Sequence, residues 1–326
     1  MSQQFEEPPT VINEDDLRSF HEHLTKSTRV LALLGAGLSA SSGLPTFRGA
    51  GGLWRTHQST SLATPGAFAK NPGLVWQFYS YRRHMALQAA PNAAHYALAE
   101  LARKMPGFQA LSQNVDGLSQ RANHPAKQLQ LLHGTLFEVR CSDHTRCGYS
   151  ETNFTDPIVP SLAIPTSGED PTSDEARGRA RDLDISSPDV PLPTPQPDDL
   201  PRCPRCQSHL LRPGVVWFGE TLPWHVLETV DRYVRSPQPI DMIMVIGTSA
   251  RVYPAAGYVD EARQKGARVC VVNMDPNDMP AGGWEEGDWF FKGDAAIILP
   301  KLLEPLIGEV TVPEKGKLEG NWGGRS

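Results

Sequence analysis

The chain has 326 residues, of which 39% are hydrophobic, and it carries a net charge of −6. It contains no apolar run of the ~18 to 20 residues that a membrane-spanning helix needs, so we expect a globular chain of one large or two modest lobes and no membrane partner. Acidic residues slightly outnumber basic ones, 37 to 31, and this balance provides no basic face for a nucleic acid partner.

The N-terminal segment MSQQFEEPPTVINEDD is acidic and has no apolar core. A signal peptide needs such a core, and a mitochondrial transit peptide is basic and poor in acidic residues. We therefore expect a flexible tail over residues 1–13 and a cytoplasmic or nuclear location by default. Nothing in the sequence specifies an oligomer, so a monomer is the default expectation.

The first expected elements are a helix and a buried strand. Leu17, Phe20 and Leu24 recur at helical spacing within the helix expected over residues 14–25. The run Val30–Leu34 has the length of a strand and no polar alternation, which is typical of a strand buried on both faces.

This strand stops at Gly35-Ala36-Gly37. The two glycines allow a sharp turn and a close approach of the backbone to a ligand, and Ala40 completes a Gly-x-Gly-x-x-Ala pattern that suits a pyrophosphate. The same pattern also occurs in ordinary turns. A dehydrogenase would carry an acidic residue about 20 positions further on, but residues 46–52, TFRGAGG, are a loop sequence.

Two helices are expected next. Asn71 and Pro72 suit a helix start, with the asparagine as N-cap and the proline in the first turn, and this helix extends to about Gln88. A second helix follows Pro91 and Asn92.

Polar residues follow four further apolar runs, each of strand length. The runs are Phe108–Leu111, Leu129–Leu132, Met242–Ile246 and Val269–Val272. The polar ends are Gln113-Asn114-Val115-Asp116, His133-Gly134, Gly247-Thr248-Ser249 and Asn273-Met274-Asp275. Because ligands of open α/β sheets bind outside the carboxyl ends of the strands, we expect these residues and the glycine loop to meet in one crevice.

Four of the five cysteines form two close pairs, Cys141 with Cys147 and Cys203 with Cys206. Four thiolates are typical of a structural zinc site, which is a closed tetrahedron without an open position for a substrate. We therefore expect one structural Zn²⁺. His144 in place of Cys147 is an alternative ligand, and a zinc ribbon that binds nucleic acid is a rival interpretation that would need basic and aromatic neighbours.

The segment between the cysteine pairs has a different composition. Residues 155–201 contain no aromatic residue, and residues 165–200 carry nine acidic and three arginine side chains. Such a segment cannot bury a core, so we expect residues 165–200 to be a disordered, acidic and proline-rich insertion in the zinc module. The tail over residues 308–326, rich in glycine and lysine, is also expected to be flexible.

The segment GAGLSASSGLPTFRG, residues 35–49, resembles the cofactor-binding segment of the sirtuins, the NAD-dependent protein-lysine deacylases. The polar strand ends and the four cysteines follow in the family's order, so the resemblance covers about residues 24–303. The family's usual spacing for the first cysteine pair is two residues, and the five-residue spacing here departs from it.

The resemblance implies an α/β catalytic domain over residues 14–307 with NAD in a cleft between two lobes. The large lobe would be a Rossmann-like parallel sheet made from residues 14–52, 106–138 and 214–307. The small lobe would combine a helical insertion, residues 53–105, with the zinc module, residues 139–213.

The resemblance also implies roles for individual residues. His133 would be the base that activates a ribose hydroxyl, and Asn114 and Asp116 would orient the ribose and hold the nicotinamide amide. The other cofactor-binding candidates are Gly35, Ala36, Gly37, Ser39, Thr46, Phe47, Arg48, Trp54, Gln113, Gly247, Thr248, Ser249, Asn273, Asp275 and Ala295.

An acylated lysine peptide is the expected partner besides NAD. The candidates for contact with the peptide backbone are Val215, Val216, Trp217, Phe218, Gly219 and Glu220, and the rival interpretation of this segment is an ordinary core strand. Tyr79 and Arg82 lie three residues apart on one helix face. An arginine without a partner in an apolar acetyl pocket would cost several kcal/mol, whereas a carboxylate on the acyl chain would pair with it.

The segment FYSYRR, residues 78–83, and the small residue Ala67 are similar to the corresponding residues of the class III sirtuins, which remove succinyl, malonyl and glutaryl groups. Arg83 is also at helical spacing from Tyr79 and remains an alternative to Arg82. The expected function is NAD-dependent deacylation of acidic acyl-lysine. The alternatives are a plain deacetylase, a mono-ADP-ribosyltransferase or a catalytically silent scaffold, and a mitochondrial location is compatible with the resemblance.

Overall fold

The computed structural model describes residues 12–46, 52–166, 183–250, 253, 255–278 and 282–313. No helix in these ranges combines the length and the apolar character that crossing a bilayer requires.

The helices and strands of the described residues are numbered in chain order. The α-helices are α1 (Glu14–Lys26), α2 (Ser59–Leu62), α3 (Pro65–Lys70), α4 (Pro72–Gln88), α5 (Ala93–Lys104), α6 (Leu118–Arg121), α7 (His144–Cys147), α8 (Trp224–Val234), α9 (Gly257–Gln264) and α10 (Ala295–Ile307). The strands are β1 (Val30–Leu34), β2 (Leu53–Trp54), β3 (His57–Gln58), β4 (Phe108–Ser112), β5 (Leu129–Leu131), β6 (Gly134–Cys141), β7 (Ser150–Thr152), β8 (Leu211–Val215), β9 (Met242–Ile246), β10 (Arg268–Asn273) and β11 (Trp289–Lys292).

Side-chain caps begin several helices where the sequence predicts them. Asn71 accepts a hydrogen bond from the N–H of Leu74 at the start of α4, and Asn92 accepts one from Ala94 at the start of α5. Each cap satisfies a backbone donor that has no partner inside the helix. The segment after β1 forms a short 3₁₀ helix, Ala36–Ser42, rather than a regular α-helix.

The large sheet has six parallel strands in the order β11-β10-β9-β1-β4-β5. The chain moves outward from β1 to β4 and β5 and then returns to β9 on the other side of β1. This is the doubly wound order of a Rossmann-like fold, and its switch point lies between β1 and β9. The predicted fold class is confirmed.

Helices cover both faces of this sheet. Alternate residues of β1 belong to different cores: Val30, Ala32 and Leu34 pack with α1, α5 and α10, whereas Leu31 and Leu33 pack with α8 and α9. All five residues are fully buried, which explains why the strand shows no polar alternation.

The small lobe has a separate core. Strands β7, β6 and β8 form an antiparallel sheet, and this sheet shares a core with helix α4 and the cysteine cluster. Trp76 of α4 donates its indole hydrogen to the carbonyl oxygen of Leu211 in β8, at 2.9 Å. The helical segment and the zinc module are therefore packed against each other.

Part of the segment predicted to be a disordered insertion is packed instead. Residues 183–200, which we call the strap, bury Ile185 and Leu200 in the small-lobe core. Arg55 donates hydrogen bonds to four strap carbonyls, those of Ile185, Ser187, Pro188 and Val190, at 3.0 to 3.3 Å. The prediction of disorder is corrected for residues 183–200, because an arginine outside the segment orders its backbone; residues 167–182 lie outside the described residues.

Residues at the inner end of each expected tail pack against the fold instead. Ile12 and Val310 pack against the core of the large lobe, and Asn13 caps α1 by accepting hydrogen bonds from Asp15 and Asp16. The rest of the two tails, residues 1–11 and 314–326, lies outside the described residues.

Candidate active site

The carboxyl ends of β1 and β9 meet in close backbone contact. The N–H of Gly37 donates to the carbonyl of Gly247 at 2.9 Å. A Cβ on Gly37 would lie 2.7 Å from the Cα of Gly247, and one on Gly35 would lie 2.4 Å from the Cβ of Thr248. Any side chain at these two positions would force the strand ends apart, so the glycines allow the crevice at the switch point to form.

Two amides from the end of β4 hold the glycine loop and the end of β9. Asn114 donates from Nδ2 to the carbonyl of Gly35 at 2.9 Å, and Gln113 donates from Nε2 to Oγ1 of Thr248 at 3.2 Å. The predicted convergence of these residues is therefore present, and three strand ends are linked at one edge of the sheet.

His133 follows β5 at the same edge. Its Nδ1–H donates to the carbonyl of Gln113 at 3.1 Å, so Nε2 is the nitrogen that lacks a proton in the neutral ring. Burial lowers the pKa of His133 below its ordinary value, and the hydrogen bond to Gln113 opposes part of that shift. A neutral imidazole with a defined tautomer is the form that a general base requires.

A second histidine joins the site as a hydrogen-bonded structural residue inside α5, the role that its place in a helix predicts. His95 is 1% exposed, and its Nε2 lies 3.4 Å from Oγ of Ser39. Ser39 in turn donates to the Asp116 carboxylate at 2.7 Å. Burial lowers the pKa of His95 to about 4, with Asp116 acting in the opposite direction. The neutral ring therefore holds Ser39 in place, and Ser39 in turn holds the carboxylate of Asp116. The sequence feature that could have indicated this position is the spacing of His95, three residues after Asn92, where it completes a capping box at the start of α5.

The other side of the crevice is formed by the ends of β10 and β11. Asn273 donates from Nδ2 to the carbonyl of Thr248 at 3.0 Å, and Asp275 caps a turn by accepting from the N–H of Asn277 at 2.9 Å. Ala295 is the buried first residue of α10, and the cap of that helix, Asp294, accepts a hydrogen bond from Ser41 in the glycine loop.

The remaining cofactor candidates differ in how they are placed. Thr46 and Ser249 are half-buried, whereas Phe47 and Arg48 lie outside the described residues. Trp54 packs edge-on against Phe78 with ring centroids 5.7 Å apart and is 2% exposed. Trp54 therefore has a packing role in the small-lobe core, and its indole N–H has no acceptor among the described residues.

The four cysteines that were expected to bind zinc form one cluster. The sulfur atoms of Cys141, Cys147, Cys203 and Cys206 all lie within 4.8 Å of one another. A tetrahedral site with Zn–S bonds of about 2.3 Å separates its sulfurs by about 3.8 Å. The measured Sγ separations, 3.8 Å for Cys141 and Cys206 and 3.6 Å for Cys147 and Cys203, fit such a site. His144 instead lies with Nδ1 3.2 Å from the carbonyl of Tyr149, so the alternative ligand set is not supported.

Helix α4 presents Tyr79 and Arg82 on one face. Tyr79 is fully buried, and its hydroxyl accepts a hydrogen bond from the Trp217 indole at 2.9 Å. Arg82 is half-buried, with Cζ 5.7 Å from the Tyr79 ring centroid. Burial lowers the pKa of Arg82, and its interactions with Tyr79 and Asp116 oppose the shift.

Arg83 has a different environment. Arg83 is 1% exposed, and its guanidinium donates to the carbonyls of Leu136, Asn153 and Thr155 at 2.5 to 3.0 Å. Burial lowers the pKa of Arg83 to about 10. These contacts hold α4 onto the zinc module and engage both terminal nitrogens of Arg83, which does not support Arg83 as the alternative to Arg82.

The segment expected to contact peptide is only partly open. Val215 and Trp217 are buried, whereas Phe218 is 52% exposed. The N–H groups of Val216 and Phe218 already donate to the carbonyls of His133 and Ala63, both at 2.9 Å. A peptide that pairs with this segment would therefore have to bond to main-chain groups of the segment other than the N–H groups of Val216 and Phe218. The side chains of Val215 and Trp217 belong to the core, as the rival interpretation expected.

A comparison with protein families matches the Sir2 family model to residues 35–254. The chain belongs to the Sir2 family. An NAD-dependent protein deacylase from Candida albicans is 46% identical over 90% of this chain and 99% of that protein. The zebrafish, Danio rerio, NAD-dependent protein deacylase sirtuin-5, mitochondrial, is 39% identical over 89% of this chain and 87% of its own length.

Solved structures of the Sir2 family agree with this assignment. A crystal structure of a Sir2 homolog–NAD complex has a TM-score of 0.67 and 34% identity, covering 91% of this chain and 94% of that one. A Sir2–p53 peptide–NAD⁺ structure has a TM-score of 0.63 and 26% identity, covering 88% and 97%. In the present Sir2 chain, the crevice at the switch point fits NAD, and the cysteine cluster fits one structural zinc ion.

Proposed function

We propose that this Sir2 protein, an NAD-dependent protein deacylase, removes negatively charged acyl groups such as succinyl, malonyl and glutaryl from lysine side chains. The observation that supports this specificity is Arg82, a half-buried arginine beside the buried hydroxyl of Tyr79. A guanidinium in this position pairs favourably with a carboxylate at the end of an acyl chain, by two parallel hydrogen bonds. An acetyl group offers it no charge.

The proposed chemistry uses NAD as the acyl acceptor: the acyl oxygen of the modified lysine displaces nicotinamide from the ribose, and the acyl group leaves on ADP-ribose. The acyl oxygen is a weak nucleophile, so accurate positioning contributes much of the rate. Asn114, held by the Gly35 carbonyl, and Asp116, held by Ser39, are proposed to orient the ribose and the nicotinamide amide.

His133 is proposed as the catalytic base for the second half of the reaction. Its Nε2 accepts the proton of a ribose hydroxyl, which then attacks the acyl carbon. The hydrogen bond from Nδ1–H to Gln113 fixes the tautomer and supports the imidazolium that forms after proton transfer. One water molecule then adds at the acyl carbon and the lysine nitrogen leaves as the free amine, so that lysine, nicotinamide and 2′-O-acyl-ADP-ribose are the expected products.

Two further residues shape the proposed acyl pocket. Tyr79 remains protonated because burial raises its pKa, so its hydroxyl can donate to the acyl carboxylate. Ala67 is half-buried on α3 and packs against the small-lobe core, and its small side chain leaves room for a longer acyl chain. The exposed Phe218 and Gly219 are proposed to contact the peptide.

The location is also a proposal. Several sirtuin-5 relatives, from zebrafish and dog among others, carry the word mitochondrial in their names. We propose a mitochondrial pool of this protein as the alternative to the cytoplasmic or nuclear location expected from the sequence.

Peptides that differ only in the acyl group test the function. The purified protein is given NAD with a succinyl-lysine or an acetyl-lysine peptide of the same sequence, and products are identified by mass spectrometry. We expect a higher kcat/KM for succinyl-lysine and the formation of succinyl-ADP-ribose. A preference for acetyl-lysine supports a plain deacetylase, and ADP-ribose on protein without acyl-ADP-ribose supports ADP-ribosyl transfer. Release of no nicotinamide with either peptide would identify a silent scaffold.

A further inference from the structure

Trp217 is held from several directions in the interior of the small lobe. It is 2% exposed, and the guanidinium carbon of Arg212 lies 3.4 Å from the centroid of its ring. Its backbone N–H donates to Oε2 of Glu220 at 2.8 Å, and its ring centroid lies 5.3 Å from that of Phe68. A guanidinium stacked on an indole face in a desolvated site is a strong contact, so the indole has little freedom to rotate.

Arg212 and Glu220 are also bound to each other. Arg212 donates from both terminal nitrogens to the two carboxylate oxygens of Glu220, at 2.5 and 3.0 Å, and donates again to the carbonyl of Val215 at 3.0 Å. The side chain of Arg212 is 8% exposed and that of Glu220 is 23% exposed. A two-pronged pair of this kind has a defined geometry, and one partner contacts the Trp217 ring while the other contacts its backbone.

The N–H edge of the Trp217 indole faces Tyr79, a residue of the proposed acyl pocket. Nε1 of Trp217 lies 2.9 Å from the hydroxyl oxygen of Tyr79. An indole N–H can only donate, so the phenol oxygen is the acceptor in this bond. The hydroxyl proton of Tyr79 is consequently directed away from the indole and towards another acceptor.

We propose that Arg212 and Glu220 position Trp217, and that the Trp217 indole in turn orients the Tyr79 hydroxyl to donate to the carboxylate of an acidic acyl chain. This inference rests on the proposed function and deepens it, because it extends specificity from two residues of α4 to the segment that follows the zinc module. Trp217, Arg212 and Glu220 are positioning residues, since they act through Tyr79. Their loss therefore lowers acidic-acyl activity and leaves acetyl activity in place.

A double-mutant cycle tests the link between the indole and the phenol. Trp217→Phe keeps an aromatic ring and removes the N–H, and Tyr79→Phe removes the hydroxyl. We expect each single change to lower kcat/KM for a succinyl-lysine peptide about 3- to 10-fold, the effect of one hydrogen bond, with acetyl-lysine activity changed less than twofold. In the Tyr79→Phe background, Trp217→Phe should have no further selective effect.

Tyr81→Phe is the matched control for Tyr79→Phe, because it makes the same change two residues along α4 and should preserve the succinyl to acetyl ratio. If the loss caused by Trp217→Phe persists in the Tyr79→Phe background, or affects both peptides equally, the inference is overturned while the proposed function stands. A wild-type preference for acetyl-lysine overturns both.

Glu220→Gln extends the test to the ion pair of Arg212 and Glu220 that contacts Trp217. This test does not depend on the folding of the Trp217 variant. This change keeps the shape of the side chain and weakens its bonds to Arg212 and to the Trp217 N–H. We expect the succinyl to acetyl ratio to fall at least twofold. Glu138→Gln is the control, since Glu138 lies on β6 of the same sheet and bonds to Ser150. An unchanged ratio in Glu220→Gln, or an equal fall in Glu138→Gln, overturns the role of Glu220.

Discussion

The edge of the parallel sheet and the small lobe build their parts of the site in different ways. At the sheet edge, Gly35, Asn114, Thr248 and His133 each lie within two residues of the end of a strand, so the backbone topology brings them together. In the small lobe, several partners of α4 come from β8, the strap and the segment around residue 217, more than 100 residues away in the chain. The sheet edge is thus defined by local sequence, and the small lobe by long-range side-chain contacts.

Removing zinc should produce the largest effect and should be felt in the small lobe. Cys203→Ser removes a fully buried ligand from a site whose metal contributes folding free energy directly. We expect loss of bound zinc, a marked fall in Tm and loss of activity, measured by metal analysis and thermal unfolding. His144→Ala is the control and should retain zinc. A wild type that holds no zinc, or that loses no stability with it, contradicts this account.

Replacing the base tests the sheet edge without disturbing the fold. His133→Ala should lower the deacylation rate by at least ~100-fold, as the loss of an acid-base group does, because it removes the Nε2 acceptor proposed for the proton of the ribose hydroxyl. NAD binding and Tm should be nearly unchanged. His225→Ala, at an exposed position on α8, serves as the control. An active His133→Ala variant would assign the base elsewhere.

The third prediction concerns how the strap, residues 183–200, contributes to stability. Arg55→Met removes the hydrogen bonds to four strap carbonyls, and we expect a loss of about 1.5 to 3 kcal/mol in the free energy of unfolding. Denaturant unfolding measures this loss. Arg235→Met, which removes an exposed ion pair with Asp231, should cost at most about 0.5 kcal/mol. Equal effects of the two changes would show that the strap is not held by Arg55.

The pH dependence of the rate gives the smallest expected effect. Because burial lowers the pKa of His133 from its ordinary 6.5, the base is already neutral at pH 7. Activity should therefore be constant around neutral pH and should fall only as the pH drops through a value below 6.5. A profile of log kcat/KM against pH measures the inflection. An inflection above pH 7 would mean that His133 is stabilised in its charged form.

Much of the large lobe is predictable from the sequence because its signals are local. The run Val30–Leu34 forms β1 with the predicted bounds, and Asn71 and Pro72 begin α4, which ends at Gln88. Parallel strand ends share an edge by topology, so the convergence of Asn114 and Thr248 on the glycine loop follows from the strand assignment alone.

The contacts of the small lobe could not be predicted in this way. The strap has the composition of a disordered segment, and its order depends on Arg55 and Gln77, which lie far from it in sequence. Likewise, no local sequence pattern shows that the Trp217 indole donates a hydrogen bond to Tyr79, or that the Arg83 guanidinium donates to three backbone carbonyls. Spacing on α4 placed both Arg82 and Arg83 near Tyr79, and only packing distinguished them.

Arg82 is proposed to select a negatively charged acyl group. The most direct test compares kcat/KM for matched succinyl-lysine and acetyl-lysine peptides in the wild type and in Arg82→Met, with Arg235→Met as an arginine control. We predict that Arg82→Met loses roughly 10- to 150-fold of succinyl activity, the effect of one charge-assisted pair, while acetyl activity is retained. An equal loss on both peptides, or a wild-type preference for acetyl-lysine, would contradict the claim.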